Sequence, residues 1–160
     1  MKPAEKTNVM RVLDSRKIPS TCHTYEADPA LSGAQIAALL GEPADRVFKT
    51  LVTQGKSGRY YVFVVPVEAE LDLKKAARAA GEKSVAMIKQ KELLPLTGYV
   101  HGGCSPVGMK KVFPTFLHET AAALDRICVS AGRVGAQVEL APSDLEKVVS
   151  CAFADLAAEE

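Results

Sequence analysis

An α/β or α+β fold, with a mixed and mainly antiparallel sheet and helices packed outside it, is what the order of apolar patterns predicts. Three observations carry this. β-prone runs interleave with short helical patterns along the whole chain. Two of those runs, 47–54 and 60–65, are joined by Gly55-Lys56-Ser57-Gly58-Arg59, a hairpin connection. Helix-opening cap residues recur ahead of apolar stripes, and helix-stopping glycines follow them.

Taken in order, residues 8–16 read as a helix, with Val9, Val12 and Leu13 on one stripe and Thr7 at the N-cap. Residues 20–25 alternate loosely and read as a strand. Ser32-Gly33-Ala34-Gln35 is a capping box that opens a helix to Leu40, which Gly41 stops. The hairpin comes next. Asp72 caps a helix that runs to Ala80 and ends at Gly81. A short strand is expected at 85–87, a helix from 90 to 94 that Pro95 ends, and a strand at 99–101. Strands are also expected at 115–117, 127–130 and 137–140, with a short helix at 121–124. Ser143-Asp144-Leu145-Glu146 reads as a second capping box, opening a helix to about Val149.

The chain has 160 residues, the size of one domain with a core of its own, so one domain over 1–160 is expected. Hydrophobic residues at 48% and charged residues at 24% are globular values and argue against disorder. No apolar run approaches the ~20 residues that span a bilayer, and residues 1–8 lack an apolar leader core. A cytoplasmic protein without membrane contact is expected. Net charge is +1, from 20 basic and 19 acidic residues, which is not the composition of a strongly electrostatic nucleic-acid binder but leaves room for a local basic rim around one site, and no DNA partner is expected. Lys74, Lys75, Arg78, Lys83, Lys89, Lys91, Lys110 and Lys111 cluster along the chain and read first as a solvated face.

Val47-Phe48-Lys49-Thr50-Leu51-Val52 places a lysine inside an apolar, β-prone run. Lysine is almost never fully buried without a partner, so either this face is wet or a negative or polar group meets Lys49 there. A second segment, Gly102-Gly103-Cys104-Ser105-Pro106-Val107-Gly108, combines glycines that let a ligand approach the backbone with a stiffening proline. Its N–H groups could hold a carbonyl or oxyanion, or it could be a plain Gly/Pro connection. It has neither GxxxxGK(S/T) nor GxGxxG spacing. Ser130-Ala131-Gly132-Arg133-Val134-Gly135 is a further glycine turn that also reads as a hairpin. Cys104 has His101 three residues away as a formal base, but no third, orienting residue is visible, and a cysteine between small residues reads as packing. The histidines and cysteines are scattered, with no CxxC, HxH or HxxxH pair, so no metal site, no cofactor and reduced thiols are expected.

With these segments in place, the chain resembles the YbaK/EbsC-type Cys-tRNA(Pro) deacylases, relatives of the editing domain inserted in bacterial prolyl-tRNA synthetases. The resemblance rests on Lys6-Thr7-Asn8-Val9-Met10, His23-Thr24-Tyr25, the lysine strand, Glu70-Leu71-Asp72-Leu73-Lys74-Lys75-Ala76, Thr97-Gly98-Tyr99 leading to the 102–108 loop with Met109-Lys110-Lys111, Val129-Ser130-Ala131-Gly132 and Glu139-Leu140-Ala141-Pro142. It implies a strongly curved sheet closing towards a barrel. It implies a cytosolic enzyme that clears mischarged tRNA in trans, with Lys49 and Gly102 central. It further implies a substrate site drawing on Tyr25, Phe48, Thr50, Gly103, Cys104, Ser105, Pro106, Gly108, Ser130, Gly132 and Gln137. Some relatives carry an aspartate where this chain has Gln137, which leaves the acidic role there open.

The implied substrate is the 3′ aminoacyl ester of mischarged tRNA(Pro), with prolyl-tRNA synthetase as a possible partner and a monomer or weak homo-oligomer as the working state. A cysteinyl ester carries its own thiol, which can attack its carbonyl, so positioning by Lys49 and the 102–108 loop would suffice. The alternatives are water-dependent editing of another small amino acid, such as alanine, and a non-catalytic tRNA- or synthetase-binding module.

Overall fold

The computed structural model describes residues 6–28 and 30–159, so only part of the stretch 1–8 falls within it. The cap chemistry sets the first helices as expected. In α1 (Asn8–Ser15), the Thr7 hydroxyl accepts the Met10 N–H at 3.2 Å, and Val9 and Leu13 are buried. The Ser32–Gln35 capping box opens α2 (Gly33–Leu40). The Asp72 carboxylate caps α3 (Leu73–Ala80) by accepting the N–H groups of Lys74 and Lys75.

Eight strands form two sheets among the described residues. The smaller has the order β1-β7-β6, made of β1 (Thr21–Thr24), β7 (Ala136–Leu140) and β6 (Ile127–Ser130), all antiparallel. The larger has the order β4-β2-β3-β5-β8. It contains β4 (Val85–Met87), β2 (Phe48–Gly55), β3 (Tyr60–Pro66), β5 (Thr115–His118) and β8 (Cys151–Ala154). β2 pairs antiparallel with β3 and β4, whereas β3–β5 and β5–β8 are parallel. The closure towards a barrel that the resemblance implies goes no further than one parallel bridge, Val47 to Cys128, between the sheets.

β3 is central and covered on both faces, which is why its sequence is an unbroken apolar run rather than an alternation. Val62 and Val64 enter the main core with Phe48, Val52, Val9 and Leu13, while Tyr61, Phe63 and Val65 pack beneath α3 with Ala76 and Ala77. A third, small cluster of Ala37, Val47 and Cys128 seats α2 at the bridge between the sheets.

Several boundaries differ from the sequence reading for identifiable reasons. α4 (Gln90–Thr97) runs through Pro95, because the Thr97 hydroxyl donates to Leu93 O at 2.7 Å and Gly98 closes the helix in the left-handed region. Residues 99–101 form no strand, since the Tyr99 N–H donates to the Thr97 hydroxyl and its ring is buried. The short helix is a 3₁₀ segment, Glu119–Ala123, two residues earlier than read. The Ser143 capping box does not form. α5 (Pro142–Val148) starts earlier, with Pro142 in the first turn, where its fixed φ suits a helix and its missing N–H costs nothing. β8 was not read at all, because Cys151-Ala152-Phe153-Ala154 is too short and weakly patterned to stand apart from α5.

The segment after β8 is tied down by His118, whose Nδ1 accepts the Leu156 N–H at 3.1 Å. That bond requires a neutral imidazole. Burial lowers the His118 pKa from 6.5, with Asp155 and Glu119 pulling the other way and Lys75 adding to the lowering. The unfolded chain therefore takes up the proton more readily. The contribution to stability is complete above the ordinary histidine range and is lost as pH falls through the folded-state value. Urea midpoints measured from pH 8 to 5 are expected to fall more steeply for the wild-type chain than for His118→Gln. Equal slopes would remove His118 from the account.

Candidate active site

The site follows from the way β2 is paired. β4 covers Thr53–Gly55 and the Ile88 N–H just beyond it donates to Val52 O at 3.3 Å, so residues 48–51 have β3 on one side and an open edge on the other. Gly55 N–H bonds Arg59 O at 2.7 Å and Val67 N–H bonds Val47 O at 2.9 Å. Those bonds fix the ladder phase: odd-numbered residues of β2 bond β3, and the backbone groups of Phe48 and Thr50 turn to the open edge.

Along that edge lies a cavity of about 280 Å³. Its walls are β2 (Phe48, Lys49, Thr50, Leu51), the 101–104 loop, Ser130 and Gln137 from β6 and β7, and α2 with its approach (Leu31, Gly33, Ile36). Val47, Val67 and Leu93 complete it. Lys49 is half-buried, and burial lowers its pKa from 10.5 while Glu70 opposes that shift. No carboxylate is among the lining residues; His101 and Cys104 are the other titratable groups there.

The two glycine turns that the sequence shows separately pack against each other. A Cβ on Gly103 would lie 2.9 Å from the Arg133 backbone, so no side chain fits there. Gly102 has φ +86° and meets the Val134 side chain. Gly103 N–H already donates to Val100 O at 3.0 Å, which takes it out of any oxyanion-binding role. Among the described residues the Gly102 N–H has no partner within the chain.

Cys104 is buried, and burial pushes its thiol up to about 12, with a Thr97 hydrogen bond working the other way. A thiol held there is protonated at neutral pH and is no nucleophile. Two side-chain oxygens on the cavity wall, Thr50 Oγ1 and Gln137 Oε1, are buried without a hydrogen-bond partner, and Gln137 is only 6% exposed. Buried polar atoms are rarely left so, and a ligand is one thing that satisfies them. The Ser130 hydroxyl is occupied in part, accepting the Gly132 N–H at 3.2 Å.

Of the residues the resemblance names, Lys49, Phe48, Thr50, Gly102, Cys104, Ser130 and Gln137 come together in this cavity. Tyr25 does not line it. Tyr25 extends the β1 ladder by donating its N–H to Gly135 O, on the face shared by His23 and Gln137, and its hydroxyl is buried and unpartnered. Gly103, Ser105 and Gly132 are also outside the lining: Gly103 and Gly132 pack against backbone or core side chains, and the fully buried Ser105 accepts the Val107 N–H. Pro106 and Gly108 face a larger apolar hollow on another side, with Val12, Met109 and Val149, which carries no set of reactive groups.

Sequence reasoning missed the α2 wall, because its residues read only as helix, and His101, which was weighed only as a base for Cys104. It also missed a juxtaposition beside the cavity, where His23, Glu42 and Glu139 bring one ligand-type atom each within 4.8 Å of one another. Glu139 is engaged there by His23 Nε2 at 2.7 Å and by Arg126 Nε at 3.3 Å. The three come from β1, the loop after α2 and β7, and no spacing rule connects them.

Comparison with known proteins gives the family and the fold. The family described as aminoacyl-tRNA editing domain matches residues 27–148. A protein of Enterococcus faecalis, assigned as the Cys-tRNA(Pro)/Cys-tRNA(Cys) deacylase EbsC, is 44% identical over 160 residues, covering 99% of this chain and 98% of its own. A proline–tRNA ligase of Thermosipho africanus is 33% identical over 78 residues, 49% of this chain and 14% of the ligase. A crystal structure assigned as a trans-editing enzyme for prolyl tRNA synthetase superposes with TM-score 0.82 at 25% identity, covering 95% of this chain and 96% of that one.

Proposed function

The chain belongs to the aminoacyl-tRNA editing domain family, and on that premise we propose that it is a free-standing deacylase that removes cysteine from mischarged tRNA(Pro), and from tRNA(Cys), in the cytoplasm. The observation that carries this is a small cavity with one cation, an unengaged loop N–H and no activated nucleophile of its own. Its volume of about 280 Å³ lies just below the ~300–1,000 Å³ range of ligand clefts, which suits a small acyl group at the end of a longer molecule.

The chemistry is positioning. The substrate's thiol attacks its own carbonyl carbon, a C–S bond forms, the C–O bond to the terminal ribose breaks, and the thiol proton ends on the ribose oxygen. Holding thiol and carbonyl together supplies up to ~7–11 kcal/mol. The Gly102 N–H donates to the carbonyl oxygen as charge develops there. Lys49 holds the terminal phosphate or ribose as a compact cation. Thr50 Oγ1 and Gln137 Oε1, both unpartnered, accept hydrogen bonds from the α-amino group. Recruitment through prolyl-tRNA synthetase is consistent with the near-neutral charge of the chain, which favours weak intrinsic RNA affinity.

The test is deacylation of Cys-tRNA(Pro) beside Ala-tRNA(Pro), by the wild-type chain and by Cys104→Ala. Cysteine is expected to be removed in strong preference, and Cys104→Ala to keep at least about half the wild-type rate, since a protonated, buried thiol contributes packing only. Loss of activity in a folded Cys104→Ala would overturn the substrate-thiol route. Equal rates on the two tRNAs would favour activated water.

A further inference from the structure

We propose that His23, Glu42 and Glu139 form a site for one divalent transition-metal ion of the zinc type, a clip between the α2 wall of the cavity and the smaller sheet. The inference rests on their geometry and is independent of the deacylase reading.

Each ligand is delivered by a different part of the fold. In the ladder of β1 on β7, Thr21 faces Glu139 and His23 faces Gln137, so His23 and Glu139 are diagonal neighbours on one face of the sheet. Gln137, on the same face, lines the cavity. Glu42 arrives from α2. Gly41 stops that helix in the left-handed region, its N–H donates to Ala38 O at 3.1 Å, and the Glu42 N–H donates to Ala37 O at 3.0 Å. This pair of bonds is a Schellman closure, which turns the chain out of the helix and fixes where Glu42 leaves it. His23 Nε2 and one carboxylate oxygen from each glutamate then lie within 4.8 Å of one another.

The donor set suits such an ion. One imidazole and two carboxylates make a mixed N/O set of the kind zinc accepts. Side-chain shifts of about 1 Å bring all three to the ~2.0–2.2 Å of zinc ligation and leave a fourth position for water. Arg126 does not close the site. Its Nε meets Glu139 Oε2 at 3.3 Å and its Nη2 donates to Glu139 O at 3.2 Å, whereas Oε1 turns to His23 Nε2, 2.7 Å away. An outer partner of this sort orients a ligating carboxylate. On binding, the ion replaces the proton between Nε2 and Oε1, and the neutral imidazole keeps its own proton on Nδ1. Glu42 makes no ion pair among the described residues, and Arg46, whose charge reaches it, is paired with Asp125. Two carboxylates brought this close repel unless a cation lies between them. The His23 and Glu139 side chains are 28% and 19% exposed, open enough to admit an ion and dry enough to strengthen its ligation.

The clip falls where burial gives little. Ala37 is the one buried residue of α2, in the small cluster with Val47 and Cys128. Yet α2 and its approach supply Leu31, Gly33 and Ile36 to the cavity. An ion joining Glu42 to β1 and β7 ties together two walls of that cavity.

The test is calorimetric titration of the chelator-stripped, thiol-reduced chain with zinc, with cobalt as a spectroscopic probe, for the wild type, Glu42→Gln, His23→Gln and Cys22→Ser. The wild-type chain is expected to bind one ion with a micromolar Kd. In its NMR spectrum the His23 ring signals should move and those of His101 and His118 should not. Glu42→Gln and His23→Gln should weaken binding at least ~10-fold, the smallest loss expected from removing even an outer partner. Cys22→Ser, which removes the exposed thiol beside His23 in the sequence, should bind like the wild type. Zinc at ~100 times Kd should raise the thermal midpoint of the wild type and leave that of Glu42→Gln in place. Absence of saturable binding at millimolar ion overturns the inference and leaves the three residues as an ion-pair cluster. So does a thiolate band in the cobalt complex, binding undiminished in Glu42→Gln, or binding lost in Cys22→Ser. A wild-type complex in which the His23 signals stay still overturns it without recourse to any variant.

Discussion

Lys49→Ala is expected to lower single-turnover deacylation of Cys-tRNA(Pro) by at least ~100-fold, the scale on which removal of one preorganised electrostatic group acts. The fold should be indifferent to the change. Lys49 makes no side-chain hydrogen bond or ion pair among the described residues, and removing a half-buried charge relieves a desolvation cost rather than leaving a partner stranded. The comparison variant is Lys49→Met, which keeps the stem and removes the charge. If the charge does the positioning, Met and Ala fail alike, and circular dichroism melts of all three proteins superpose within a few degrees. Retention of activity within about tenfold in either variant would leave the Gly102 N–H and proximity as sufficient, and would remove Lys49 from the mechanism.

Much of this arrangement is legible in the sequence, and the division follows physical range. Local chemistry reads well. The Thr7, Ser32 and Asp72 caps, the glycine stops after α2 and α3 and the β2–β3 hairpin all depend on neighbours within a few residues, and they form as expected. The oddity of a lysine in an apolar strand is likewise local, and it led directly to the cavity. What the sequence withholds is set by pairing between distant segments. The side of β2 that stays open depends on β4 covering only its last three residues. The packing of Gly103 on Arg133 brings together two turns thirty positions apart, and nothing in either turn names the other. The Gly103 N–H looked as available as that of Gly102 until the Val100 carbonyl was found beneath it. A loop motif marks which backbone is permissive, and only the fold decides which donor is free.

A cysteinyl ester is expected to be cleared at least ~100-fold faster than the isosteric seryl ester on the same tRNA, and this comparison separates the two kinds of deacylation chemistry. A free thiol has a pKa near 8.5 and is a few per cent thiolate at pH 7, while a hydroxyl needs a base to attack at all. The cavity offers no carboxylate, a Cys104 thiol held up at about 12, and a lysine that burial does not turn into an assigned base. Only His101 could serve as one, and it belongs to the loop rather than to the buried wall. A serine substrate in this site therefore keeps its position and loses its nucleophile. The products discriminate further. Self-attack releases a cyclic thioester that an added thiol traps before it opens, whereas water releases the free amino acid from the first turnover. His101→Ala supplies the remaining control. If the thiol route operates, that variant retains cysteinyl-ester clearance within a few-fold. Comparable cysteinyl and seryl rates, both lost in His101→Ala, would replace self-cleavage by histidine-activated water.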